Sequence, residues 1–286
     1  MKLIRFTHGG RVSIGVADNG YAYDLAGLMV DAPTSLKDVL ANAATLYPRI
    51  RTALANSTAR TPLSAVRLEA PVPDTQKYLA IGMNYEGHAE EARRAGGTVP
   101  KNQLWFNKQV SCIVGPYDDV HRPRASQQVD YEAELGVVIG KRCRHVSEAD
   151  APGVVGGYFV ANDVTARDWQ FASPTYTLGK SFDTHGPTGP WIVTADEIAD
   201  PHNLQMILTV NGEVRQQQNT GRMIHNIWQQ IAHLSTVMTL MPGDLLATGT
   251  CAGVGIALGK FLKAGDVVRV EIERIGHIEN RIVEEP

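Results

Sequence analysis

Cysteine is scarce in this 286-residue chain: Cys112, Cys143 and Cys251 are the only three, an odd number without CxxC spacing. That argues against a disulfide framework and a structural zinc site, and it fits a reducing compartment. Histidine offers no zinc pattern either. None of the nine stands in HxxxH or HExxH spacing, and His225 and His233, in a helical segment, read as surface or core-edge side chains. Long apolar runs are also missing. MKLIRF passes straight into polar THGG without the apolar stretch of a signal peptide, and no segment is long enough to span a bilayer. Charge of one sign is missing too, because 27 basic residues face 30 acidic ones for a net charge of -3. Nucleic acid and anionic membranes are therefore not expected partners, and the KRCRH run from Lys141 to His145 reads as a solvated turn after a strand. A cytoplasmic location is the expectation.

What is present is enough apolar material, 43% of residues, to bury a substantial core in one to two domains. Residues 3 to 24 alternate apolar and polar positions around His8-Gly9-Gly10 and Asp18-Asn19-Gly20, which predicts a small β-meander. Ser35 with Asp38 forms a helix-capping pair, and Leu36, Val39, Leu40 and Ala43 share a face of a helix that Pro48 should break. The segment from Ala70 to Asp74, with Pro71 and Pro73, reads as a linker. Short β-patterned runs then dominate: KYLAIG, EAELGVVIG, GYFVAND, GPWIVTA, QMILTVNG, DLLATGT and DVVRVEIE. Their density predicts a mostly antiparallel β-roll or barrel. One helix interrupts them, with Ile224, Ile227, Trp228, Ile231 and Leu234 on its packed face.

The chemistry lies in an acidic constellation. In DYEAEL, Glu132 and Glu134 are two apart on an incipient strand, so both side chains point to one face. Neighbouring carboxylates repel unless a cation or proton sits between them. GYFVAND ends a second apolar strand at Asp163, and if the two strand ends lie side by side, three carboxylates converge into the hard oxygen environment that Mg²⁺, Mn²⁺ or Ca²⁺ prefers. The competing reading puts Glu132 and Glu134 on the solvent face of an edge strand.

Five ordered motifs carry a resemblance to the fumarylacetoacetate hydrolase family. They are Gly82-Met83-Asn84-Tyr85 with His88 and Glu91; DYEAELGVVIG; AND with VTARDWQ; GKSFDTHGPTGPW; and PGDLLATGT with GVG. The resemblance runs from about Lys77 to the C-terminal strands, which makes residues 73–286 a catalytic domain and leaves 1–72 as a small N-terminal α+β module. It implies an α+β, mainly β fold, a mixed β-roll or barrel with few helices. It also implies Glu132, Glu134 and Asp163 as ligands of one divalent ion, Mg²⁺ or alternatively Mn²⁺ or Ca²⁺. One departure stands out: Cys251 follows Thr250 where relatives commonly have proline, either as a small buried filler or as a neighbour of substrate.

By the same resemblance the protein is similar to hydrolases that cleave the C–C bond of an acylpyruvate or 2,4-dioxo acid to pyruvate and a carboxylic acid. The metal would polarise the carbonyl and stabilise the departing enolate. His88 and Glu91, on one face if GHAEEARR is helical, supply a base and its orienter, and the flanking glycines Gly87, Gly96 and Gly97 suit a lid. The resemblance assigns Lys180 a catalytic charge and gives Tyr85, Gln170 and Thr250 substrate contacts. Arg167 and Asp168 read as a supporting or purely structural ion pair. Decarboxylation of an oxaloacetate-type 2-oxo acid or enol-keto isomerisation would use the same enolate and is the alternative. A binding protein without turnover is opposed by His88, Glu91 and Lys180. A homodimer is implied by resemblance alone.

Overall fold

Two tight turns open the chain. His8 pairs with Arg11 around Gly9-Gly10, and Asp18 with Tyr21 around Asn19-Gly20. All four turn residues have positive φ, the backbone that matches the right-handed twist of the flanking strands. In the computed structural model, which describes residues 1–286, these turns join β1 (Lys2–His8), β2 (Arg11–Asp18) and β3 (Tyr21–Asp24). Three helices follow: α1 (Leu25–Leu28), α2 (Leu36–Ala41) and α3 (Ala43–Asn56). Ser35 Oγ accepts the Asp38 N–H at 3.1 Å, as its spacing predicts. Pro48, however, does not break the helix, because the interruption falls at Asn42 and α3 runs through the proline. Both Pro48 and Ala44, whose carbonyl loses its partner, are exposed, so water can serve that carbonyl.

Short strands β4 (Thr61–Pro62) and β5 (Arg67–Glu69) precede the 70–74 segment. That segment has no regular structure, but Ala70, Pro71 and Val72 are buried, so it is a packed strap and not a free linker. Next come β6 (Tyr78–Gly82), α4 (Glu86–Arg94), β7 (Leu104–Lys108), β8 (Ile113–Val114), β9 (Val120–Arg122), β10 (Val129–Asp130), β11 (Ala133–Ile139), β12 (Val155–Asn162), β13 (Thr165–Ala166), α5 (Arg167–Phe171) and β14 (Gly186–Thr194). The chain ends with β15 (Gln205–Val210), β16 (Glu213–Asn219), α6 (Ile227–Val237), β17 (Leu245–Thr250), α7 (Gly255–Leu258), β18 (Val267–Ile272) and β19 (Gly276–Glu284). All seven β-patterned runs of the sequence are strands.

A 12-stranded sheet runs β4-β3-β2-β1-β14-β12-β11-β17-β6-β7, with β5 beside β1 and β8 beside β14, and a five-stranded sheet runs β16-β15-β18-β19-β9. Pairing is mostly antiparallel, with β17·β6, β14·β8 and β19·β9 parallel, so the fold is the mixed, mainly β arrangement expected. The larger core fills the space between the two sheets, and a second core lies between the other face of the large sheet and α2 and α3. Each fully buried aliphatic side chain there contributes roughly 1.5–3 kcal/mol. Helix α6 packs Ile227, Ile231 and Leu234 inward, and a reciprocal cap between Asn226 and Gln229 starts it. Ile224 lies before that cap and is exposed, so it is not part of the packed face.

Candidate active site

The β11·β12 pair in the middle of the 12-stranded sheet sets the site. Ala133 of β11 lies opposite Asn162 of β12, so the residues on either side of that pair, Glu132 and Asp163, are brought together. Two hydrogen bonds fix them: the Glu132 N–H donates to Asn162 Oδ1 at 3.0 Å, and the Asp163 N–H donates to the Glu132 carbonyl at 2.9 Å. Glu134 follows two residues into β11. Ligand oxygens of Glu132, Glu134 and Asp163 all lie within 4.8 Å of one another, and all three side chains are buried. The solvent-exposed edge strand is thereby ruled out.

The donor set fits a hard divalent cation. Glu134 Oε2 accepts the Gly249 N–H at 2.7 Å but has no lysine or arginine in ion-pair contact. Burial, then the charges of Asp163 and Glu132, push its carboxyl well above the usual carboxylate range. A buried carboxyl in that position needs a cation to ionise. Burial also opposes ionisation of Glu132, yet Lys180, Arg167 and His88 together pull its carboxyl down to about 2.

Two lysines close over the carboxylates. Lys180 Nζ donates to Glu132 Oε2 at 2.6 Å and to Asp163 Oδ2 at 2.7 Å, so the loop lysine is buried rather than solvated. Burial opposes its charge, but Asp163 and Glu132 raise its pKa above the ordinary lysine value. Lys108, at the end of β7, donates to Asp163 Oδ1 at 2.6 Å and to the Lys180 carbonyl. Sequence reading missed Lys108, whose one local signal was a lysine closing a strand of largely apolar residues.

Arg167 does not pair with Asp168. Its Nε donates to Asp130 Oδ2 at 2.8 Å, Nη1 to Gln170 Oε1 at 2.9 Å, and Nη2 lies 2.7 Å from Glu132 Oε1. Asp168 instead accepts the Ser126 hydroxyl, at 2.7 Å. Asp130, also missed, accepts the Gly255 and Ile256 N–H groups at 2.6 and 2.9 Å, so one carboxylate fixes both Arg167 and the chain entering α7.

His88 and Glu91 lie on α4, as the helical reading requires, with Nδ1 and Oε2 3.4 Å apart. The turn before α4 is anchored by Asn84, whose amide donates to the Thr248 and His225 carbonyls at 2.7 and 3.0 Å. Gly249 faces it with φ +100°, and a Cβ there would sit 2.6 Å from Asn84 Cβ, so this pair of motifs interlocks only with glycine.

A cavity of about 780 Å³ receives His88, Glu91, Glu132, Arg167 and Lys180. Gln170 and Thr250 also line it. No protein acceptor engages the Gln170 Nε2, whereas the Thr250 hydroxyl donates to the Ala133 carbonyl and accepts from Gln216 Nε2, at 2.9 and 2.8 Å. Tyr85 departs from expectation. It is packed in the larger core, its hydroxyl has no partner, and it does not line the cavity. Cys251 is the buried filler: it is 1% exposed, and burial pushes its thiol up to about 12. Gly96 and Gly97 line the cavity mouth beyond the end of α4. No helix is long and apolar enough to cross a membrane.

The fumarylacetoacetate hydrolase C-terminal family model matches residues 77–283, and an Rv2993c-like N-terminal model matches residues 1–71. The mitochondrial oxaloacetate tautomerase FAHD2A of Bos taurus is 40% identical over 291 residues, covering 99% of this chain and 92% of its own. Maleylpyruvate hydrolase from Sphingobium sp. SYK-6, solved with manganese(II) and pyruvate, is 35% identical with a TM-score of 0.85, covering 100% of both chains. A fumarylacetoacetate hydrolase from Exiguobacterium antarcticum is 37% identical with a TM-score of 0.86, also covering 100% of both chains. With its buried acidic triad gathered at the adjoining ends of β11 and β12 and a family model matching most of its length, this chain belongs to the fumarylacetoacetate hydrolase family.

Proposed function

We propose that this protein is a divalent-metal-dependent hydrolase that cleaves an acylpyruvate or related 2,4-dioxo acid to pyruvate and a carboxylic acid. The observation that carries the reading is a histidine–glutamate pair facing the same cavity as Glu132, whose carboxylate lies within 4.8 Å of those of Glu134 and Asp163. Glu132, Glu134 and Asp163 would hold Mg²⁺, or alternatively Mn²⁺ or Ca²⁺. A bound ion supplies the Lewis acidity that the 2-oxo group and the developing enolate call for.

The chain's own residues do the rest. Glu91 accepts from His88 Nδ1 and leaves Nε2 as the base, which removes a proton from water as its oxygen attacks the 4-carbonyl carbon. The C3–C4 bond then breaks, its electron pair becomes the pyruvate enolate, and the proton held on His88 returns to C3. Lys180 and Arg167 set positive charge beside Glu132, where substrate oxygens would lie. The Gln170 amide is the free hydrogen-bond donor of the wall.

The tautomerase similarity supports a second reading, in which the same pair moves a proton between C3 and oxygen without adding water. Loss of CO₂ from oxaloacetate is a further use of the same enolate. Assays of metal-loaded protein with acylpyruvates and with oxaloacetate, read for pyruvate, CO₂ and enol absorbance, separate these. Pyruvate release from an acylpyruvate outpacing every change in oxaloacetate is the expected result. Faster conversion of oxaloacetate than of any acylpyruvate puts the second reading first.

A further inference from the structure

We propose that the group this site accepts beyond the 2-oxo acid is apolar and ring-sized, and carries no second carboxylate. The proposal rests on the 2-oxo acid reading above. It concerns the wall of the cavity that the proposed reaction does not use.

Three rings build that wall. Phe106 and Tyr176 meet edge to face with centroids 6.0 Å apart at 67°, and Tyr176 meets Phe171 in the same way at 6.5 Å and 85°. The row starts beside the chemistry, because Lys180 Nζ lies 5.1 Å from the centroid of the Phe106 ring. It runs outward to Phe171, which is 60% exposed. Ile81, Val254 and Ile256 add further apolar lining. A substrate anchored by its 2-oxo acid next to Lys180 therefore passes its remaining substituent along an aromatic surface. Edge-to-face stacking rewards a ring there, and covering Phe171 removes apolar area from water.

The charges point the same way. Maleylpyruvate and oxaloacetate, the compounds named by two relatives, each carry a second carboxylate, which needs a cation or several donors when taken into a cavity. Only Arg94, Arg167 and Lys180 bring positive charge to this one. Arg167 is already held between Asp130 and Glu132, and Lys180 between Glu132 and Asp163. Arg94 lines the cavity from the last turn of α4, with its side chain 76% exposed and 3.1 Å from Glu90. Neither buried cation is left for a distal carboxylate, and Arg94 is open to water and shared with Glu90.

The test separates binding from chemistry. 2-Oxo-4-phenylbutanoate and 2-oxoglutarate share the 2-oxo acid head, lack the 4-oxo group that hydrolysis requires, and differ in carrying a ring or a carboxylate. Calorimetric titration of each into Mn²⁺-loaded protein should show the phenyl compound binding ~10-fold more tightly or better. Phe171→Ala should shrink that ratio toward one, and Phe171→Arg should reverse it. Phe171 is exposed, so neither change removes core packing. Equal or tighter binding of 2-oxoglutarate by the parent overturns the proposal, as does failure of both compounds to bind or a ratio indifferent to both Phe171 variants. Absence of pyruvate from benzoylpyruvate, with the binding ratio intact, would instead remove the hydrolase reading and leave the specificity standing.

Discussion

Glu91 accepts the backbone N–H of Gly253 at 2.9 Å, across 162 positions of sequence. This bond fastens the helix that carries His88 to the turn after β17. Gly253 has φ +101°, and a Cβ there would meet the Arg215 carbonyl oxygen at 2.0 Å, so the turn is shaped to deliver that N–H. The glutamate thus orients the imidazole from a fixed support.

His88→Ala should lower hydrolytic turnover by roughly 10²- to 10⁴-fold, the usual contribution of a positioned general base. Divalent-metal affinity should be retained. Glu91→Gln keeps an acceptor for Gly253 but loses the charge, so its defect should be smaller than that of Glu91→Ala. Steady-state pyruvate release with parallel metal titrations checks the order. Near-parent turnover in His88→Ala would reduce the pair to a structural contact.

The acidic triad predicts opposite stability effects for two ligand variants. Glu134→Gln removes a buried carboxylate with no cationic partner, so chelator-treated protein should be at least as stable as the parent. Asp163→Asn leaves Lys108 and Lys180 without one of their carboxylates, and about 3–5 kcal/mol should be lost. Both should bind Mg²⁺ and Mn²⁺ much more weakly. Urea unfolding in the presence of chelator, alongside calorimetric titration, measures the two quantities independently; equal stability losses would contradict the charge pattern.

His185 predicts the acid limb of stability. It is fully buried, Nε2 lies 3.0 Å from the His121 carbonyl, and burial depresses its pKa to about 3. Between that value and about 6.5 the unfolded chain binds the proton that the folded chain refuses. Stability from this group is therefore complete above about pH 6.5 and declines as pH falls, by at most about 1.4 kcal/mol per pH unit. His185→Gln should flatten the dependence of urea midpoint on pH between 6.5 and 4. An unchanged slope would remove His185 as the cause.

Gly249→Ala should destabilise the fold, since its positive φ and the overlap with Asn84 both oppose a side chain. Overpacking of this kind costs about 1–3 kcal/mol. It would also disturb the N–H held by Glu134, so metal affinity should fall with the melting temperature. A variant with parent thermal stability would show that the Asn84 turn yields easily.

The strands and α6 were legible because alternation and helical spacing are local signals, and Glu132, Glu134 and Asp163 stood out through ordered motifs. What stayed hidden is what only tertiary contact decides. Asp168 looked like the partner of Arg167 by adjacency, but Asp130, 37 positions away, takes the bond because β10 and β13 pair next to each other. Lys108 reaches Asp163 across 55 positions, and a lysine closing an apolar strand says nothing by itself of that partner. Tyr85 shares a motif with His88, yet it points into the core from the position that starts α4. Pro48 was misjudged because a proline's effect on a helix depends on whether the freed carbonyl reaches water.

The pairing of β1 also sets how much of its edge is covered before the distant strand β14 joins it. Its edge away from β2 is shared by two strands: β5 covers Arg5, Phe6 and Thr7, while β14 covers only Lys2 and Leu3. The nascent chain can form the opening hairpins and add β5 well before β14 is synthesised. Until then the uncovered start of β1 is three residues long, Lys2 to Ile4, a short template for a neighbouring strand. A small strand late in the N-terminal segment thus leaves little of this edge open when the central partner is absent.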